Sequence, residues 1–220
     1  MGKDYAAEAQ RVRDIVTQHK RSEGRTLLDV ACGTGLHLAH LRNWFDCEGV
    51  DADRSMLTIA AERCPGIPLQ RMDMIGLNVG RCFDIITCLF SSIAYLPNAP
   101  RLDQVVRSFA QHLLPGGVVV VEPWLRPEQW EDGFLTSLFV DEPDLKIARM
   151  SVSRRDANVS ILNFHFMVAQ PDGIRTFTEP HRLTLFTDDE YRAAFEKAGL
   201  TVSYDPKGLS GRGLYIGTKP

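Results

Sequence analysis

DVACGTG, residues 29–35, separates the segment RTLL, which ends in apolar residues, from the segment LHLAHLRNWF, whose leucines have helical spacing. The first segment is typical of a short buried strand and the second of a helix. Glycines at positions 33 and 35 let the turn between them approach a ligand, because no Cβ projects there. In an open α/β sheet, ligands bind beyond the carboxyl ends of the strands. DVACGTG therefore predicts a ligand site at the end of the first strand.

The residues around the two glycines limit the kind of ligand. No lysine and hydroxyl residue follow them, as a phosphate-binding P-loop requires. Leu38 stands where a dinucleotide-binding fingerprint has its third glycine, and the carboxylate of Asp29 would repel a diphosphate. A cationic ligand without phosphate fits better. S-adenosylmethionine (SAM) carries an amino group, a sulfonium and a ribose, and has these properties.

The rest of the chain alternates helices and strands before its pattern changes. This alternation up to VVVVE at 118–122 predicts an α/β fold with a mostly parallel sheet. From about 125 to 186 the period becomes two, in the segments LKIARMSV, VSILNFHFMVA and IRTFTEPHRLTLF, separated by turn-like RDAN and QPDG. A helix ending at Gly199 and a closing hairpin follow. We expect a cofactor-binding domain of residues 1–124 and 187–220, with an inserted antiparallel meander at 125–186.

Composition excludes several classes of function. With 25 basic and 28 acidic residues among 220, the chain has no basic field to hold nucleic acid. Its apolar runs are too short to cross a bilayer, and the polar N-terminus does not read as a signal peptide. Five cysteines without CxxC spacing predict buried thiols rather than disulfides or a zinc site. We expect a cytoplasmic protein with no membrane segment and no metal.

DVACGTG resembles the glycine-rich first motif of class I SAM-dependent methyltransferases, and later positions agree with that family. The resemblance implies a Rossmann-like sheet whose last strand is antiparallel. It also implies that Asp51 accepts hydrogen bonds from the ribose and that Met56 packs on the adenine. The residues that this resemblance assigns to the cofactor are Asp29, Ala31, Gly33, Gly35, Asp51, Ala52, Met56, Asp73, Met74, Phe90 and Ser91.

A narrower resemblance rests on GKDYAAEA, the FSS…YL run, PGGVVVVEPW and SGRGLYIG. Together these look like the N-methyltransferases that dimethylate dTDP-linked amino sugars such as desosamine and mycaminose for macrolide antibiotics. The resemblance implies a dTDP-amino sugar as substrate and a homodimer, which the alternating aromatic face LNFHFMV also favours. Those enzymes carry a tyrosine-rich segment before GKDY that helps to close over the sulfonium. Here Met1 directly precedes Gly2, so we expect either a shortened chain or one whose start has been lost.

Two residues are candidates for the base that accepts the amine proton. Tyr95 follows the fourth strand and is either that base or a rim aromatic that packs on the sugar. His181 lies in the meander and is either the base or a strand histidine with a structural partner.

Four residues are candidates for substrate binding. Arg212, between two glycines, is suited to bind a diphosphate bidentately, and Arg182 is a second cation. Trp124 either stacks on the nucleotide, walls the sugar pocket or packs in the core. Ser92 follows the fourth strand, beside the methionine part of the cofactor.

The sequence does not identify the methyl acceptor, so three functions stay open. The chain is an N-methyltransferase of a nucleotide-linked amino sugar, a SAM methyltransferase of another small amine or hydroxyl, or a SAM-binding protein without catalysis. A sheet that binds NAD is a distant fourth.

Overall fold

Seven strands form a sheet in the order β10-β11-β5-β4-β1-β2-β3 in the computed structural model of the protein, which describes residues 3–220. Met1 and Gly2, on which the expectation of a shortened start rests, lie outside the described residues. The strands are β1 (Thr26–Val30), β2 (Asp46–Asp51), β3 (Leu69–Arg71), β4 (Phe83–Cys88), β5 (Leu113–Val121), β10 (Thr201–Asp205) and β11 (Leu214–Thr218). All are parallel except β11, which runs antiparallel between β10 and β5. The predicted Rossmann-like sheet with an antiparallel last strand is confirmed.

Both faces of this sheet are covered. Every residue of β4 is buried, and Val118 to Val121 of β5 are fully inaccessible, as expected for parallel strands packed on both sides. The helices of this unit are α1 (Tyr5–His19), α2 (Leu38–Leu41), α3 (Arg54–Arg63), α4 (Ala99–Gln111) and α5 (Asp188–Lys197). Their apolar stripes, such as Leu102, Val106 and Phe109 of α4, supply the covering side chains. Each fully buried side chain of this kind contributes about 1.5–3 kcal/mol.

One local prediction needs correction. The helix expected over LHLAHLRNWF is a single turn, Leu38–Leu41, because hydrogen bonds from the N–H of Asn43 and Trp44 reach back only three residues and close tight turns. Leu38, Leu41 and Phe45 are nevertheless buried. The N-cap of α3 is Asp53, whose carboxylate accepts the Ser55 N–H.

The inserted segment forms its own antiparallel sheet. The chain divides into a first unit that ends at Trp124 and resumes at Asp188, and a second unit, Leu125–Thr187. Strands β6 (Leu135–Glu142), β7 (Leu145–Asp156), β8 (Val159–Gln170) and β9 (Gly173–Thr184) pair in sequence order. The pattern of the sequence singled out β7 to β9 but not β6, an edge strand that is largely exposed and alternates weakly. None of the helices within residues 3–220 has the length and apolar character to cross a membrane.

Candidate active site

The carboxyl ends of β1 to β4 border a cavity of about 610 Å³ in the first unit. The cavity lies at the topological switch point of the sheet, between β1 and β4. The chain adds β2 and β3 on one side of β1, and then β4 and β5 on the other side. Of the residues predicted to bind the cofactor, those that line the cavity are Asp29, Ala31, Gly33, Asp51, Ala52, Met56, Asp73, Met74 and Phe90. Ser92 and Tyr95, predicted to bind substrate and to take a proton, also line it.

The two glycines of the turn have different tasks. Gly33 has φ of +56°, and a Cβ built there meets no atom within 4 Å, so a side chain would enter open space beside the cavity. Gly35, with φ of +75°, lies outside the cavity lining. A Cβ at this position would come within 3.2 Å of Ala60 and Cys64, so Gly35 lets the turn pack against α3. Gly33 faces the ligand site, and Gly35 supports the turn from behind.

The carboxylate of Asp51 is fixed at the end of β2. Its Oδ2 accepts the Gly33 N–H at 2.8 Å, and its Oδ1 accepts the Asp53 N–H at 2.8 Å. Each carboxylate oxygen has a further lone pair for another donor. A ligand with two adjacent hydroxyls, such as a ribose, matches this arrangement.

The electrostatics of the cavity favour a cation. Its described lining contains Asp29, Asp51, Asp53 and Asp73 and no lysine or arginine. Asp29 is buried, and its Oδ1 accepts the hydroxyl of Thr87 at 2.7 Å. Burial raises the pKa of Asp29 to about 6, while the nearby His37 acts in the opposite direction. A positive group placed in this cavity would stabilise the ionised carboxylate.

Met56, Met74 and Asp73 lie at the β2–β3 side of the cavity. The Asp73 carboxylate also accepts the Ile75 N–H at 2.9 Å, which caps a short 3₁₀ turn at Met74–Gly76. Asp73 can therefore cap this turn and still accept a hydrogen bond from a ligand. Two methionines beside a carboxylate acceptor suit a flat aromatic ring with an exocyclic amine.

The turn after β4 carries unusual backbone angles. Phe90 and Ser91 have φ of 54° and 62°, a left-handed conformation that costs non-glycine residues about 1–3 kcal/mol each. Two contacts with the end of β5 hold it: the Phe90 N–H donates to Glu122 at 2.7 Å, and the Ser91 hydroxyl donates to the Pro123 carbonyl at 2.7 Å. Ser91 is thereby buried outside the cavity lining, whereas the ring of Phe90 remains half exposed.

Arg212 reaches the same wall from the loop between β10 and β11. Its guanidinium carbon lies 5.6 Å from the centre of the Phe90 ring and 5.3 Å from that of Trp124. Neither Arg212 nor Trp124 lines the cavity itself. An arginine stacked on two aromatic rings beside a carboxylate-lined cavity forms a separate cationic position next to it.

Comparison with known proteins agrees with this geometry. Residues 27–117 match the family model of a methyltransferase domain. The chain is 46% identical over 218 residues to dTDP-3-amino-3,4,6-trideoxy-alpha-D-glucopyranose N,N-dimethyltransferase of Streptomyces venezuelae, covering 98% of this chain and 92% of that one. It is 41% identical to dTDP-4-amino-2,3,4,6-tetradeoxy-D-glucose N,N-dimethyltransferase of Saccharopolyspora spinosa, covering 99% and 88%. The chain belongs to the family of dTDP-amino-sugar N,N-dimethyltransferases.

A solved structure supports the cofactor assignment. SAM-bound CalS10, an amino pentose methyltransferase of Micromonospora echinaspora involved in calicheamicin biosynthesis, superposes with a TM-score of 0.91 at 38% identity, covering 100% of this chain and 93% of that one. This chain is a methyltransferase, and its cofactor is SAM. The residues present fit that group: the open space at Gly33, the paired backbone donors that hold Asp51 and the excess of carboxylates all suit a phosphate-free cation.

Helix α1 contributes residues that the sequence did not assign to the site of this methyltransferase. Tyr5 lines the cavity and packs edge-on against His37, with ring centres 4.9 Å apart. The His37 Nε2 lies 2.8 Å from the buried carboxylate of Glu8. Burial, and secondarily Glu8, raise the pKa of Tyr5, so its hydroxyl stays protonated in the cavity lining. GKDYAAEA was a signal of the family, but nothing in its spacing indicated contact with His37.

The second unit places His181 and Arg182 on opposite faces of its sheet, because successive side chains of a strand alternate. His181 pairs with Leu162 across β8 and β9, and its ring meets that of Phe164 edge-on at 5.1 Å. Arg182 pairs with Ile161 and lies 3.7 Å from the carboxylate of Asp156. A single ligand above either face would therefore contact one of the two predicted residues, not both.

The buried cysteines have no reactive character. Burial, with a smaller contribution from Asp29, raises the pKa of the Cys32 thiol well above its usual range. Cys32 therefore stays protonated and fills space beside the turn. Among the residues that the structure describes, no group of three or more His, Cys, Asp or Glu side chains is placed to hold a metal ion.

Proposed function

We propose that this enzyme transfers a methyl group from SAM to the amino group of a dTDP-linked amino sugar. The observation that carries the proposal is the position of Arg212, stacked against Phe90 at the wall of the cofactor cavity. A nucleotide-linked sugar needs a cation for its diphosphate beside, and not inside, the site of the methyl donor. The relatives at 41–46% identity are named for such substrates, which supports the same class here.

The residues of the chain would serve the reaction mainly by positioning. When bound, SAM supplies an electrophilic methyl group on a sulfonium sulfur. The substrate nitrogen forms a bond to that carbon with its lone pair, the carbon–sulfur bond breaks, and the nitrogen loses a proton. Asp51 would hold the ribose of SAM, Asp29 would hold its cationic amino end, and Phe90 would form a wall of the cavity. Together they would place the nitrogen, the methyl carbon and the sulfur in line. Such alignment supplies about 7–11 kcal/mol of barrier reduction.

Tyr95 and His181 are the proposed acceptors of the amine proton. Tyr95 lines the cavity with about half of its surface exposed, which leaves it accessible to a substrate. Removing a true general base lowers kcat by about 100- to 10,000-fold. Tyr95→Phe and His181→Gln would be compared in kcat and KM. The variant that lowers kcat and flattens its dependence on pH identifies the base, and a change in KM alone indicates a binding role.

Methyl transfer tests the proposal directly. The purified protein is incubated with deuterated SAM and, in parallel, with dTDP-3-amino sugars, dTDP-4-amino sugars, the free amino sugars and a simple amine. We expect a mass increase in the dTDP-linked substrates, and little in the free sugars. Transfer to the simple amine or to a hydroxyl alone would favour a different small-molecule methyltransferase. Binding of SAM without transfer to any acceptor would favour a protein that binds the cofactor without catalysis.

Arg212→Ala tests the assignment of the diphosphate. We expect KM for the dTDP-amino sugar to rise about 10- to 100-fold, the usual effect of losing a charge-assisted hydrogen bond, with little change in the Kd of S-adenosylhomocysteine (SAH). Arg25→Ala, which removes an exposed arginine paired with Asp46, is the matched control. Arg182→Ala is measured separately, as the test of that residue's own assignment. Equal losses for both ligands in Arg212→Ala would contradict a role specific to the diphosphate.

We also propose that the enzyme is a homodimer in the cytoplasm. One face of the second unit exposes large apolar side chains from all four strands. They are Leu135, Phe139, Met150, Val152, Met167 and Ile174. In a symmetric dimer, the same face of a second copy would cover these side chains. Five free cysteines, four of them buried, suit a reducing compartment.

A further inference from the structure

Glu122 is a buried carboxylate that the proposed reaction does not use. It follows directly after β5, and its side chain is completely inaccessible. Burying a carboxylate costs several kcal/mol unless donors surround it. Glu122 has donors from two separate parts of the first unit, which gives the carboxylate a place between the cofactor cavity and the loop of Arg212.

One carboxylate oxygen of Glu122 holds a residue that lines the cofactor cavity. Its Oε2 accepts the Phe90 N–H at 2.7 Å, within the left-handed turn after β4. The ring of Phe90 lines the SAM cavity. Because the turn is strained, its geometry depends on the partners that hold it.

The other oxygen serves the arginine loop. Its Oε1 accepts the Ser210 hydroxyl at 2.6 Å and lies 3.7 Å from Nη2 of Arg212. The Arg212 Nε in turn donates to the Ser210 hydroxyl at 3.0 Å. Arg212 is thus held between a buried negative charge and the faces of Phe90 and Trp124.

We propose that Glu122 is a positioning residue that couples SAM binding to recognition of the nucleotide diphosphate; this rests on the proposed function of Arg212. A bound diphosphate competes with Glu122 for the guanidinium of Arg212. This competition changes the hydrogen bonds that Ser210 and the Glu122 carboxylate make. The same carboxylate fixes Phe90, so each ligand changes the position of a group that the other contacts. Thermodynamic linkage makes such coupling reciprocal.

The arrangement joins two stretches of the chain that are distant in sequence. The EPW stretch supplies Glu122 and Trp124, and SGRG supplies Ser210 and Arg212. The hydrogen bond between Glu122 and Ser210 spans 88 residues of sequence. Each motif holds half of one arrangement around Phe90.

The experiment measures the Kd of dTDP by calorimetry with and without saturating SAH. We expect a ratio within the usual allosteric range of about 5- to 150-fold in the unaltered protein, and a ratio within about twofold of one in Glu122→Gln, which keeps the shape but loses the charge and one acceptor. Glu62→Gln, on the exposed surface of α3, is the matched control. Because the ratio compares two states of one variant, a general loss of stability does not abolish it.

Ser210→Ala and Ser210→Thr provide a second route should Glu122→Gln fail to fold. We expect the alanine variant to lose most of the coupling and the threonine variant, which keeps the hydroxyl, to retain it. An unchanged ratio in Glu122→Gln, or in Ser210→Ala where only that variant folds, overturns the inference and leaves the proposed function intact. Absence of dTDP binding to the unaltered protein at millimolar concentration would instead contradict the proposed function, and the inference with it.

Discussion

Two backbone N–H groups of the chain, those of Gly33 and Asp53, hold the carboxylate of Asp51. This pre-organisation means that a ribose meets acceptors already in place, and little entropy is lost on binding. The sequence predicted Asp51 from the motif and the strand order, and the structure places it in the lining of the cavity.

Asp51→Ala should weaken SAH binding by about 100-fold or more, since it removes two hydrogen bonds to a charged group that contribute about 1.5–3 kcal/mol each. Calorimetry with SAH gives the Kd, and thermal unfolding checks the fold. The control is Asp46→Ala, which removes an exposed carboxylate paired with Arg25. An affinity for SAH that matches that of the control would contradict the assignment of Asp51 to the ribose.

Asp29 should make cofactor binding depend on pH. Its folded pKa of about 6 lies above the ordinary 3.8, so a cation gains an ionised partner as the pH rises through about 6. We expect SAH affinity to increase, by up to about tenfold, between about pH 5 and 7. Asp29→Asn should flatten this profile, and identical profiles for the two proteins would count against Asp29 as a cofactor residue.

The raised pKa of Asp29 also determines the direction in which the free energy of unfolding changes with pH. Between pH 3.8 and about 6 the folded protein holds more protons on Asp29 than the unfolded chain does. The contribution of Asp29 to the free energy of unfolding therefore falls as the pH rises through this window, and is constant above it.

At the scale of the elements, the two glycines of the turn between β1 and α2 have different roles, one in ligand binding and one in packing. Gly33 borders the open cavity, whereas Gly35 touches α3. From the sequence, both glycines were assigned to the cofactor, because spacing alone does not show which glycine faces a helix that comes later in the chain. The contact of Gly35 with Ala60 and Cys64 depends on tertiary structure.

Gly33→Ala and Gly35→Ala form a matched pair that tests this division. Both place a side chain at positive φ, at a cost of about 1–2 kcal/mol. Gly35→Ala also crowds α3, and overpacking adds about 1–3 kcal/mol, so we expect its melting temperature to be the lower of the two. Gly33→Ala should show the larger loss of SAH affinity. The reverse order in either measurement would refute the division.

At the scale of the whole molecule, the sequence predicted what repeats locally and missed what folding brings together. Alternating periods gave the sheet and the inserted meander, and DVACGTG gave the site. The pairing of Glu8 with His37 joins residues 29 apart, and that of Glu122 with Ser210 joins residues 88 apart. Neither pair has a local pattern, so the contribution of α1 and the carboxylate behind Phe90 emerged only from the structure.

The proposed dimer is tested on the apolar face of the second unit. Met150→Glu introduces a charge among exposed apolar side chains and should shift sedimentation from dimer toward monomer, because burying an unpaired charge costs several kcal/mol. Ile59→Glu, an exposed apolar residue on α3 of the first unit, is the control and should leave the dimer intact. A monomer in the unaltered protein, or a dimer unaffected by Met150→Glu, would contradict the proposal.

A crystal structure with bound SAH tests the central claim most directly. We predict SAH across the carboxyl ends of β1 to β4, with both ribose hydroxyls donating to Asp51, the adenine between Met56 and Met74, and the sulfur directed toward Phe90 and Tyr95. SAH bound elsewhere in the molecule, or a pyrophosphate group against Gly33 in its place, would contradict it.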